Sequence, residues 1–270
     1  MTLSPQPLSA DKIQRAISTK RLGKKIHCFK TIPSTNLEAQ SLAKKGAAEG
    51  GIVIAEEQTQ GKGRLERGWV SPPHLNLYLS VILRPKLPPS LAPQITLMSA
   101  VAIADTVQSF LPFQPEIKWP NDILVGGKKI AGVLTESSCE PDRIVFVVVG
   151  IGINLNFPRD LMPESIQETA TSVLILTQKP VDRGAFTCRL IQSLDQCYGE
   201  LESGGFASIA QRWDSFFRLR GKSVRVEMPD RRVSGRVVGI DTDGALILAG
   251  EGGVRERIVA GDVFPMIDSD

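Results

Sequence analysis

The 270 residues are 42% hydrophobic and 23% charged, a balance that fits one large core plus a smaller domain and excludes wholesale disorder. A formal net charge of +3 is too small for nucleic-acid binding by bulk charge, so an anionic ligand has to be met by local clusters. Four scattered cysteines (Cys28, Cys139, Cys188, Cys197) and two histidines (His27, His74) argue against a structural zinc site or a disulfide framework.

The opening "MTLSPQPLSADK" lacks a cationic start followed by an apolar run, so a reducing cytoplasmic location is expected. Next, "STNLEAQSLAKKG" predicts a helix capped at Ser34 or Thr35 and ended by Gly46. "GIVIAEE" predicts a strand. From Leu75 to Leu83, leucine or valine takes every second position around Asn76, Tyr78 and Ser80, so one face is core and the other is left for ligand or solvent. "QITLMSAVAIADTVQSF", after Pro93, is apolar all round and predicts a buried helix.

Short strands follow: "EIKW", "DILV", "KIAGVLTE" and "IVFVVVGIGIN". The last contains the longest apolar stretch, too short for a bilayer and rich in β-branched residues, and no membrane partner is expected. Gly126-Gly127 marks a hairpin turn with positive φ angles. In that hairpin Leu124 opposes Lys129, and Asp122 becomes a diagonal neighbour of Lys129. Phe186, Leu190, Leu194, Cys197 and Leu201 recur at helical spacing, and "FASIAQRWDSFF" continues the helical character. Beyond Arg220 the valine-rich segments "KSVRVEM", "RVSGRVVGI", "GALILAG" and "VRERIVAGDV" predict an antiparallel barrel of about fifty residues. The expected division is therefore 1–219 and 220–270.

Three segments carry chemistry. "EEQTQGKGRLERGW" joins the flexible backbone of Gly61 and Gly63 to the cations Lys62, Arg64 and Arg67 and to the stacking face of Trp69. It is neither a Walker loop nor a dinucleotide fingerprint, and alone it reads as a solvated basic turn sooner than as a site. "KWPNDILVGGKKIAGVLTE" places Lys118, Asp122 and Lys129 around one hairpin, equally readable as a surface ion pair. "VVGIGINLN" ends a buried strand in two glycines and the amide of Asn154, which suits either close ligand approach or tight packing.

In this order and at these separations, together with "PSTN" and the "EEQTQ" lead-in, the segments resemble the biotin protein ligases over nearly the whole chain. The resemblance implies an α+β fold: a mixed sheet with helices on one face, as in class II aminoacyl-tRNA synthetases, and a carboxyl-terminal SH3-like β-barrel. It implies two reactions at one site. Biotin and ATP give biotinyl-5′-AMP and pyrophosphate, and a carrier lysine then attacks the mixed anhydride. Mg²⁺ is expected on the triphosphate, with no protein-bound metal. Ser34, Thr35, Asn36, Gln58 and the loop Gly61, Lys62, Gly63 and Arg64 would contact biotin, with Lys118 at its carboxylate. Arg67, Trp69, Lys118 and Asn154 would meet the adenylate. Lys118, Arg64 and Arg67 would offset the repulsion between carboxylate and phosphate. Asp122, held by Lys129, would orient or deprotonate the acceptor lysine.

The implied partner is the biotin carboxyl carrier protein of acetyl-CoA carboxylase, and a sheet edge used for docking would equally support a homodimer. Two positions depart from the family pattern: Lys62 stands where arginine is usual and Glu66 where glycine is frequent. Only about thirty residues precede "PSTN", too few for a winged-helix domain, so no DNA partner is expected. Two rival readings are a lipoate or octanoyl ligase and an RNA-binding barrel using Arg218, Arg220, Lys222, Arg225, Arg231, Arg232 and Arg236. The interspersed Glu227 and Asp230, and the lack of paired aromatics, weigh against the second.

Overall fold

In the computed structural model, which describes residues 6–250 and 253–266, period-two patterning resolves into two sheets. The extremes of the two expected domains, 1–5 and 267–270, lie outside the described residues. The chain runs through α1 (Ala10–Ala16), β1 (Ile26–Ile32), α2 (Thr35–Lys44), β2 (Ile52–Gln58), β3 (Leu77–Leu83) and α3 (Pro93–Phe110). Four strands follow, β4 (Glu116–Lys118), β5 (Asp122–Val125), β6 (Lys128–Cys139) and β7 (Ile144–Ile153). Helices α4 (Glu164–Gln167), α5 (Val173–Thr177), α6 (Arg183–Gly204) and α7 (Ala207–Phe216) complete this part. The first sheet has the order β1-β2-β3-β7-β6-β5-β4, and it is mixed because β1 and β2 alone pair in parallel.

Alternation along the strands divides the apolar residues between two faces. Ile52, Ile54, Val81, Leu83, Val147 and Val149 meet the layer of α3 and α6, where α3, apolar all round, is buried from Ile95 to Val107. Val53, Ile82 and Val148 point the other way and pack on Ala39 and Ala43 of α2. Helices on one face thus describes the main layer, and α2 is the exception: alanines one turn apart let its backbone lie close on the sheet. This short helix covers only part of its face, which leaves the remainder open for a ligand.

Arg84 fastens α2 in place. Its guanidinium donates to the carbonyls of Ala43 and Ala47 at the helix end and of Val145 in β7. Ala43 O also accepts from the Gly46 N–H, so Arg84 adds a charged donor to carbonyls at the helix end. Arg84→Met is expected to lower stability by about 2 kcal/mol, read as a lower urea midpoint at unchanged m-value.

The second sheet contains β8 (Ser223–Glu227), β9 (Arg232–Ile240), β10 (Leu246–Ala249), β11 (Arg255–Ile258) and β12 (Asp262–Pro265), antiparallel throughout, in the order β11-β10-β9-β8-β12. It curls around Val224, Val226, Val237, Leu246, Leu248, Ile258 and Val263. The stretch expected as one segment, "VRERIVAGDV", divides into β11 and β12, with Gly261 at φ +152° between them. The small sheet docks on α3 and the β4–β5 turn, where Gln94 donates to Thr242 O and the Trp119 indole donates to Gly244 O at 3.0 Å. Its edge strand β12 thereby comes to lie beside the open part of the first sheet.

Candidate active site

Register builds the site. Across four neighbouring strand pairs, Lys118 faces Asp122, Asp122 faces Gly132, Gly132 faces Gly152 and Gly152 faces Tyr78, which forms one row on the face that α2 leaves open. Two residues further along, Leu134, Gly150 and Ser80 form a second row. The Gly126-Gly127 turn has φ +57° and +74°, as its sequence predicts, and Leu124 opposes Lys129. A bulge between Ile123 and Leu124 shifts the register so that Asp122 meets Gly132, and Lys129 Nζ comes to 2.7 Å from Asp122 Oδ1.

The glycines of these rows make room. A Cβ on Gly152 would fall 2.4 Å from the Trp69 ring, and one on Gly150 would fall 2.0 Å from Asn36 Oδ1. Trp69 therefore lies flat over the first row, and Lys129 Nζ sits 5.3 Å from its ring. The indole N–H is buried without a partner among the described residues, a donor poised for a ligand acceptor.

Over the second row the start of α2 forms a hydroxyl and amide network. The Thr35 N–H donates to Gln58 Oε1 at 2.9 Å, Gln58 Nε2 donates to Ser71 Oγ, and the Ser80 hydroxyl lies 2.7 Å from Thr35 Oγ1 and 2.6 Å from Asn36 Oδ1. Asn36 Nδ2 donates to Leu134 O and to the Glu136 carboxylate. Ser34 is 3% exposed and makes no capping bond, so its hydroxyl is available to a ligand. Burial pushes the Tyr78 hydroxyl well above its ordinary pKa, and it donates to Pro72 O, tethering the segment that follows the loop.

The loop from Gly61 to Trp69 closes on itself. Trp69 N–H donates to Gly61 O at 2.9 Å and Gly63 N–H to Arg67 O at 2.6 Å, and a Cβ on Gly61 would meet Trp69 O at 2.4 Å. At its tip Leu65 and Glu66 hold φ +53° and +57°. A left-handed residue with a side chain costs roughly 1–2 kcal/mol, which is the physical reason a glycine suits position 66. Glu66→Gly is expected to retain affinity for the ligand of this loop, whereas Glu66→Val should weaken it by about tenfold; titration calorimetry distinguishes these outcomes.

Arg64 crosses from the loop to both domains. It donates to Asn121 Oδ1 at 3.0 Å and to Gly261 O at 3.3 Å, with Asp262 Oδ1 at 3.7 Å. Arg67 donates to Asp262 Oδ2 at 2.6 Å. Lys62 pairs backbone with Gly68, and its side chain points from an exposed position.

Together these groups line a cavity of about 470 Å³. It brings together Ser34, Thr35, Asn36, Gln58, Lys62, Gly63, Arg64, Arg67, Trp69, Lys118, Asp122, Lys129 and Asn154. Among the residues expected from sequence, Gly61 stands behind this lining as the pivot of the loop. Asn154 lines the cavity with its amide already committed, donating to Thr171 O at 3.0 Å with Asn76 Nδ2 at 3.5 Å. Residues that sequence reading left out are Ser71, Ser80, Asn121, Glu136 and Asp262. Ser80 had a signal, since it lies on the non-core side of the alternating Leu75–Leu83 segment; Asp262 had none.

Cations converging over a glycine floor, beside a buried network of hydroxyls and amides, suit the joining of two anions, one of which carries a polar ring or chain to be recognised. Fold and site together define an acyl-activating protein ligase. The model of the biotin/lipoate A/B protein ligase family matches residues 28–154, and that of the biotin protein ligase C-terminal domain matches residues 220–265. The biotin–[acetyl-CoA-carboxylase] ligase of Paracoccus denitrificans is 36% identical over 238 residues, spanning 86% of this chain and 96% of its own. The bifunctional ligase/repressor BirA of Bacillus spizizenii is 34% identical over 259 residues, spanning 96% of this chain and 79% of its own. Among solved structures, a biotin protein ligase from Aquifex aeolicus in complex with biotin and ATP superposes with a TM-score of 0.76 at 26% identity, covering 90% of this chain and 99% of that one. The chain belongs to the biotin protein ligase family.

Proposed function

We propose that the protein catalyses ATP-dependent biotinylation of a lysine on the biotin carboxyl carrier protein of acetyl-CoA carboxylase, through biotinyl-5′-AMP. The observation that carries this reading is the convergence of Lys118, Arg64 and Arg67 on the cavity whose other wall is the Thr35–Gln58–Ser80–Asn36 network.

In the first half-reaction a biotin carboxylate oxygen attacks the α-phosphorus of ATP, and the bond to pyrophosphate breaks. Lys118, Arg64 and Arg67 offset the charge that builds up there, each through charge-assisted hydrogen bonds. Ser34, Thr35, Asn36 and Gln58 match the donors and acceptor of the ureido ring. Trp69 stacks on the adenylate, and its unpartnered N–H supplies a donor. The hairpin carboxylate Asp122, oriented by Lys129 at 2.7 Å, takes the proton of the acceptor lysine as its nitrogen attacks the acyl carbon and AMP leaves.

Mg²⁺ bound to the triphosphate would neutralise part of its charge. Among the described residues there is no cluster of three or more His, Cys, Asp or Glu, and Asp122 and Asp262 are cavity carboxylates available to it. This sparse donor set suits an ion bound mainly through phosphates and water. The functional boundary between catalytic and carboxyl-terminal domains is placed at Leu219.

Pyrophosphate exchange into ATP with biotin, lipoate or octanoate as the acid tests the first step, and mass spectrometry of a carrier domain tests the second. Exchange with biotin alone and a biotin adduct on one carrier lysine are the expected results. Exchange that prefers lipoate or octanoate would replace this reading. An RNA-binding barrel is disfavoured because Arg220, Arg225, Arg231 and Arg232 are each ion-paired, with Asp214, Glu227, Glu256 and Glu227 respectively.

A further inference from the structure

Arg64, Arg67 and Lys129 each have a carboxylate within ion-pair distance, from Asp262 or Asp122. Lys118 has none among the described residues. Its ammonium lies instead 5.1 Å from the ring centroid of Phe264, within the range of a cation–π contact.

Phe264 sits on β12, the edge strand of the small sheet that pairs only with β8. Alternation turns Val263 into the barrel core, at 0% exposure, and turns Asp262 and Phe264 outward together. Asp262 receives the loop arginines and Phe264 receives Lys118. On β8 the cross-strand partner of Phe264 is Arg225, 5.5 Å from the same ring and engaged by Glu227 at 3.2 Å.

A lysine on a three-residue strand has a long stem with several free rotors, so something must hold its head toward the reacting atoms. A carboxylate would do so at the expense of the positive charge the reaction needs. An aromatic face attracts the ammonium through its quadrupole and adds no net charge, so the full cationic field remains directed at an incoming carboxylate and α-phosphate. We infer that Phe264 is a positioning residue for Lys118, supplied by the carboxyl-terminal domain and acting in adenylation. The inference rests on the proposed role of Lys118 at the biotin carboxylate.

The test replaces Phe264 in the full chain by 4-fluoro-, 3,5-difluoro- and pentafluorophenylalanine, which keep ring shape while weakening and finally reversing the quadrupole. Single-turnover formation of biotinyl-AMP should slow stepwise with fluorination, to about tenfold at the last member, while transfer from presynthesised biotinyl-AMP to a carrier domain stays constant. Phe264→Tyr should retain the rate and Phe264→Leu should lose it, with thermal melting of both close to that of the parent. In a Lys118→Met background fluorination should have no further effect. A rate indifferent to fluorination, or equally sensitive in that background, would overturn the positioning role. If Lys118→Met itself left adenylation intact, the reading of Lys118 would fall, and that result is distinct from a failure of Phe264 alone.

Discussion

Lys118→Ala is expected to slow biotinyl-AMP formation by about 10²–10³-fold, in line with the loss of one preorganised charge at a developing transition state. Transfer from presynthesised biotinyl-AMP should survive within a few-fold. The two halves of the reaction make different demands. Joining a carboxylate to a phosphate requires cations because both reactants are anionic. Aminolysis of the finished anhydride starts from an amine and needs a proton acceptor instead, the part given to Asp122. Among the cavity cations Lys118 suits the first task because no carboxylate of the described residues lies within ion-pair distance of it and the Phe264 ring holds it from the side. Quench-flow separation of the two steps decides the matter: equal loss in both would make Lys118 a general binding group.

Arg64→Gly is expected to leave adenylation within about tenfold of the parent and to increase release of biotinyl-AMP, so that lysines on bystander proteins become biotinylated. The structural reason is that Arg64 bonds to Asn121 beside the sheet and to Gly261 and Asp262 on the small domain. Three attachments therefore disappear together, and a hydrogen bond to a charged group typically contributes about 1.5–3 kcal/mol. The backbone bonds between Gly61 and Trp69 and between Gly63 and Arg67 do not involve the Arg64 side chain, so the loop should keep its local shape while losing its anchorage. A closed loop protects a water-sensitive adenylate; an unanchored one opens more often. Biotin transfer to serum albumin, compared with transfer to a carrier domain, measures the effect. Unchanged selectivity with normal adenylation would remove retention of the adenylate from the tasks of this loop.

Much of the secondary structure was legible from periodicity. The buried α3, the strand of alternating leucines and the Gly126-Gly127 turn each carry a local signature, because side chains alternate in a strand and recur near every fourth residue in a helix. Most candidate site residues were legible only as a combination of segments. None of the three segments exceeded the ambiguity of a short motif, and the order and separations of all three pointed to one chemistry. Glu66 was visible as a departure from pattern, but its left-handed backbone became visible only once the loop was folded.

The sequence by itself determined the long helices and the strands that carry the site, which segments hold cations and glycines, and that the closing barrel differs in texture from the rest. Tertiary structure alone decided that α2 lies across the sheet from the other large helices, since Ala39 and Ala43 do not say which face they will cover. It decided the row from Lys118 to Tyr78 through a bulge of one residue, and in a strand one residue determines the face. It also decided that Asp262 and Phe264 belong to the site. Arg67 and Asp262 are 195 residues apart, and a contact over that separation leaves no period in the chain; it exists only because Trp119 and Gln94 dock the small sheet with its edge strand toward the cations.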